Sequence, residues 1–70
     1  MIKVESIEWE SATEIKVSLF ADTKAEVPND MASVEVIGLP ENANIAMGSD
    51  VMTAKGEIAF RKSDETWQWV

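Results

Sequence analysis

The chain has 70 residues, with 13 Asp and Glu against 6 Lys and Arg, a formal net charge of −7, and neither cysteine nor histidine. That length bounds it to one domain, residues 1–70, whose core is marginal and has no disulfide and no Cys- or His-ligated zinc to staple it. The acidic balance excludes the basic stripe that nucleic-acid binding requires and opposes anionic membrane surfaces, and no stretch approaches the roughly 20 apolar residues of a spanning helix.

Residues Met1 to Trp9 alternate apolar and polar, but Ile2 and Val4 have the opposite parity to Ile7 and Trp9. A side-chain period of two cannot place both pairs on one face, so either a bulge near Glu5-Ser6 switches the strand or each face is partly covered, and the bulge is the favoured reading. After the polar break Glu10-Ser11-Ala12, Thr13 to Phe20 gives the cleanest strand, with Ile15, Val17 and Leu19 on one face. Together the two segments read as an antiparallel hairpin.

Ala21 to Asp30 alternates weakly. Lys24 to Val27 reads as a short extended piece at a sheet edge, because Pro28 cannot donate to a ladder, and Asn29-Asp30 reads as a turn. Ala32 to Leu39 is expected as a strand, with Val34 and Val36 on one face, Ile37 and Leu39 on the other, and Gly38 at an easy bulge position. Pro40 to Asn44 is a turn-rich connection.

Gly48-Ser49-Asp50 separates Ile45-Ala46-Met47 from Val51-Met52-Thr53, which predicts a bend or a tight hairpin. Ala54 to Glu57 predicts a hairpin loop around Gly56, and Ser63 to Thr66 a second. In the last segment Ile58 and Phe60 share one face of a strand, and Trp67 and Trp69 share one face of the next. The hairpin is expected to centre the core, with Phe60, Trp67 and Trp69 supplying area that a small domain needs. The expected fold is all-β, a small antiparallel barrel or two-sheet sandwich with a C-terminal β-meander.

The residue inventory narrows the chemistry. Without Cys or His the common Ser–His–Asp and Cys–His nucleophile systems cannot be built, and the principal transition-metal ligands are missing. The serines Ser6, Ser11, Ser18, Ser33, Ser49 and Ser63 fall in turns or on polar strand faces. Glu8, Glu10 and Glu14 crowd the first hairpin, where a solvated acidic face explains them better than acid–base work. A calcium ion beside Asp50 or Asp64 would lack the alternating Asp/Asn ligand spacing that makes such a loop specific. No cofactor and no metal is therefore expected. Met31, Met47 and Met52 suit gaps in a core or an adaptable interface. The candidate interface or binding residues are Trp9, Trp67 and Trp69, which serve either as core and subunit contact or as an exposed platform for a sugar or peptide.

Several motifs occur together: ADTKAEV (Ala21 to Val27), Ile37-Gly38-Leu39-Pro40, Ile45 with Gly48-Ser49, Gly56-Glu57, and a terminal Asp-x-x-Trp-x-Trp. In these the chain resembles small all-β proteins encoded among the virion structural (head and tail) genes of tailed phages and prophages. The resemblance implies a virion-associated accessory protein without catalytic residues.

The expectation is thus a non-enzymatic structural or interaction protein that self-associates or joins another virion protein, with no nucleic acid and no membrane as partner. The alternative is a small carbohydrate- or peptide-binding module using exposed tryptophans. Residues Met1 onward show no basic segment followed by an apolar run, so a soluble protein is expected, in a virion if phage-derived and otherwise in the cytoplasm.

Overall fold

A computed structural model describes all residues, Met1–Val70. Seven strands form one mixed sheet: β1 (Ile2–Trp9), β2 (Glu14–Ala21), β3 (Val36–Ile37), β4 (Asn44–Ile45), β5 (Asp50–Thr53), β6 (Ile58–Arg61) and β7 (Trp67–Trp69). The spatial order is β3-β1-β2-β5-β6-β7, with β4 also paired to β2. The hairpin β1–β2 and the meander β5–β6–β7 are antiparallel, as the turn signals predict.

The bulge in β1 sets the parity of the whole face. Val4 pairs with Leu19 and Ser6 with Ser18, so Glu5 has no partner. The extra residue flips the side-chain alternation, and Ile7 and Trp9 come to stand opposite Val17 and Ile15 on the same face as Ile2 and Val4. β2 supplies the centre of that face with Ile15, Val17, Leu19 and Ala21, all buried.

The sheet is neither a closed barrel nor half of a sandwich. Three of its pairings are parallel, β1 with β3, β2 with β4 and β2 with β5, and the order ends at β3 and β7 without their pairing. The inner face is covered from the segment 22–43, which forms no second sheet and whose one strand, β3, belongs to the sheet itself. Lys24–Glu26, read from the sequence as extended, is a 3-10 turn, because Glu26 Oε1 folds back to accept from the N–H groups of Asp22 (2.6 Å) and Thr23 (3.3 Å). Where the strand Ala32–Leu39 was expected to begin, Met31–Ser33 instead form a second 3-10 turn started by Asp30, whose carboxylate accepts from Ala32 N–H. Only Val36–Ile37 pairs, parallel to β1. Val27 and Met31 enter the core, and Val34, Val36, Leu39 and Ala43 pack against it. The accessible surface, 4457 Å², is close to the ~4,300 Å² that size scaling gives for a folded monomer of this mass.

β4 and β5 lie in succession along one edge of β2, separated by a bend rather than a hairpin. Ile45 pairs with Ile15 and Asp50 with Ser18, so the outer chain spends two more residues than β2 over the same distance. Gly48 makes the detour possible with φ +92°. Ser49 then fills the gap in the ladder: fully buried, it accepts the Val17 N–H on its Oγ at 3.0 Å.

The C-terminal hairpin corrects one expectation. Arg61 pairs with Trp67 and Ala59 with Trp69, which puts these four side chains on the inner face. Ile58 and Phe60 point the other way, and Phe60 is 47% exposed where core area was expected. No helix is long and apolar enough to cross a membrane.

Candidate functional site

The three tryptophans do not form one cluster. Trp67 is buried; its indole N–H donates to the Pro28 carbonyl (3.1 Å) and its backbone N–H to Asn29 Oδ1 (2.9 Å), which pins the covering segment to the edge of β7. Trp69 is half-buried two residues on, with the Lys24 ammonium 5.0 Å from its ring centre. Trp9 stands at the far end of β1, separated from β7 by β2, β5 and β6, and is 53% exposed.

Two further features stand out. The first is the outer face of the sheet, which no segment covers. Across it run Ile37 beside Lys3, then Phe20, Met52 and Ile58, each directly opposite the next on adjacent strands. Phe60 lies in the next row, opposite Asp50 and Gln68. Ile37, Met52, Ile58 and Phe60 are all exposed, and Lys3 Nζ stands 5.8 Å from the Phe20 ring centre. This stripe crosses five strands and is apolar on all but β1, where it holds Lys3; a sheet with one wet face would alternate to polar residues there.

The second feature is Arg61, a charged side chain on the inner face and 7% exposed. Its guanidinium stacks 5.0 Å from the Trp67 ring centre, and Nη1 donates to the Asn29 carbonyl at 2.8 Å. That is its single hydrogen bond, and the buried Nε–H has no partner. The ion pairs of the molecule join Met1 to Asp22 and Glu26, Lys3 to Glu5, and Lys62 to Asp64, so Arg61 belongs to none. Burial pushes its pKa down, while the charges of Glu65, Asp64 and Asp30 act the other way. Leaving a buried donor unmade costs about 1–3 kcal/mol. Beside Arg61 is an open cavity of about 250 Å³, with Met31, Leu39, Ala43 and Ile45 on its apolar side and Asp30 and Glu65 among its polar lining.

Comparison with known proteins finds no match: no family model fits the chain, and no curated protein or solved structure is similar to it.

The carboxylates are dispersed. Asp50 accepts from the Ser18 hydroxyl at 2.7 Å and Asp64 from the Thr66 hydroxyl at 2.6 Å, and no three acidic side chains converge as a metal site requires. Glu8 faces Lys16 across the hairpin, whereas the backbone of Glu10 and Glu14 closes the turn with Ser11. The arrangement can therefore bind by apolar contact on the outer face and by a guanidinium on the inner one. Neither feature is marked by a motif. The exposed stripe could be read from the sequence only once the register of the last hairpin is known, and Arg61 from its alternation with Ala59.

Proposed function

We propose that the chain is a non-enzymatic structural or interaction protein that self-associates through the bare outer face of its sheet. The observation that carries this reading is the stripe Ile37, Phe20, Met52, Ile58 and Phe60, an apolar surface that a small domain would otherwise leave in water. A second copy suits it. The row from Ile37 to Ile58 contains one lysine and no carboxylate, so most of the charge that makes the monomer repel its like lies off the contact. Interfaces between identical subunits are also the more apolar kind.

The resemblance to virion structural proteins of tailed phages and prophages supports placing this subunit in a phage particle, in contact with its own copies or another virion protein. Outside a phage-derived setting the same reading places it in the cytoplasm. Detection of the chain in purified particles tests that placement.

Sedimentation equilibrium tests self-association. The wild-type chain is expected to dimerise or assemble further, and Met52→Glu combined with Phe60→Glu to be monomeric while keeping the same circular dichroism. A wild-type chain still monomeric at about 100 μM, where the interaction would be worth less than about 5.5 kcal/mol, overturns the proposal.

The second reading, a carbohydrate- or peptide-binding module, is favoured by one observation, the exposure of Trp9. Saturable quenching or shift of Trp9 emission by an oligosaccharide or peptide would support it.

A further inference from the structure

The outer face accounts for association but leaves Arg61 unexplained. This residue is the only arginine in the chain, and it is held on the inner face by the stack with Trp67 and the bond to Asn29, with no carboxylate paired to it. Its buried Nε–H has no protein partner, and the side chain lines the cavity formed by Met31, Leu39, Ala43 and Ile45. A guanidinium fixed through Nη1, with Nε–H shut off from solvent and Nη2 bonded to no protein group, presents its terminal N–H groups to a planar anion that accepts two parallel hydrogen bonds.

We propose that the Arg61 cavity binds a monocarboxylate carried on a short apolar group. The carboxylate oxygens accept from the free terminal Nη–H groups of Arg61, and the apolar group packs on Met31, Leu39, Ala43 and Ile45. Asp30 and Glu65 set the charge that the site accepts. Their negative field disfavours a dianion such as phosphate more than a single carboxylate, which makes phosphate the poorer ligand. Two sources share this chemistry: a free short-chain carboxylic acid, and the C-terminal apolar residue of a peptide.

The single arginine makes the test direct, because the ¹H–¹⁵N spectrum contains one arginine Nε–H signal. Titration with isovalerate is expected to move that signal saturably, together with the Trp67 indole N–H, with half-saturation on the order of millimolar. Isoamylamine, which has the same apolar group and the opposite charge, leaves both in place, and inorganic phosphate binds more weakly than isovalerate. N-acetyl-leucine binding more tightly than isovalerate identifies a peptide terminus as the source, and the reverse order identifies a free acid.

Arg61→Lys removes the Nε–H signal itself, so it is read on the Trp67 indole N–H, which is expected no longer to move with isovalerate. Because the stack on Trp67 also depends on Arg61, Ala43→Leu provides the independent check: it fills the cavity, keeps the guanidinium and is expected to lose binding. Glu65→Gln tightens binding by roughly 1.5- to 5-fold, the range expected from removing one exposed like charge. An Nε–H signal unmoved by isovalerate well above the millimolar range overturns the proposal, as does an undiminished response in folded Ala43→Leu.

Discussion

The Val17 amide donates to the side-chain oxygen of Ser49 at 3.0 Å, so a hydroxyl takes a backbone carbonyl's place in the ladder where β4 gives way to β5. Both residues are buried, and nothing else is positioned to accept that proton. Ser49→Ala is therefore expected to destabilise the fold by about 1–3 kcal/mol, the cost of an unsatisfied buried donor. Urea denaturation measures it; a loss under 0.5 kcal/mol would mean that water replaces the hydroxyl.

Two neighbours in β2 and β5 should respond very differently to truncation. Leu19 is 2% exposed and faces Val51 in the core, whereas Met52 is 45% exposed on the outer face. Leu19→Ala is expected to cost about 2–5 kcal/mol, and Met52→Ala about 0.5 kcal/mol or less, in solutions dilute enough to be monomeric. Equal costs would mean that the outer face is covered within a single chain.

Acid should loosen the C-terminal hairpin. The Thr66 hydroxyl holds the Asp64 carboxyl below its ordinary pKa, with a smaller contribution from Lys62, while burial opposes both. A depressed folded-state value means that the stabilisation is complete above the unfolded pKa of about 3.9 and is lost as pH falls through the folded one. Glu26 titrates in the same sense, lowered first by its hydrogen bond from the Met1 ammonium. Following Trp67 indole N–H exchange below pH 4 should show opening in the wild type, and Asp64→Asn should have lost that acid-dependent component. Identical acid profiles for the two proteins would remove the role given to Asp64.

Fluorescence should divide the tryptophans unequally. Acrylamide, which is neutral and so indifferent to the net charge of −7, should quench Trp9 readily and Trp67 little. Trp9→Phe is expected to remove the red, quenchable part of the emission, and a spectrum unchanged by that substitution would place Trp9 in a contact.

Much of this architecture was legible from alternation alone. The bulge at Glu5 follows from the parity clash of Val4 and Ile7, and β2 and the terminal meander follow from period-two runs between turn residues. The face of the last hairpin was not legible, for a definable reason. A four-residue loop Ser63–Thr66 would put Phe60 opposite Trp69, on the inner face. The ladder instead closes with Lys62 N–H on the Thr66 carbonyl, around a three-residue loop in which Glu65 takes φ +65°. Glycine is the usual residue at such a position, and glutamate conceals it. That one-residue difference moves Phe60 outward and Arg61 inward, so both the stripe and the cavity arginine depend on it. The two 3-10 turns, Lys24–Glu26 and Met31–Ser33, escaped for another reason. The carboxylates of Glu26 and Asp30 bond to local backbone N–H groups and divert the chain into these turns, where the sequence suggested a short extended piece and the start of a strand.

The parallel seam between β2 and β5 has a kinetic consequence. The hairpin β1–β2 and the meander β5–β7 each close through short loops, but joining them means bringing Ala21 beside Thr53 across the whole intervening chain. Loop-closure entropy makes that encounter the slow event in folding and pairing within each half the fast one. The Val17 amide is protected only after the encounter, because its acceptor belongs to the other half. In pulse-labelling hydrogen exchange it should therefore acquire protection with the final phase, while the amides paired between β1 and β2 are protected earlier. One proton would thus time the moment at which two locally formed halves become a single protein.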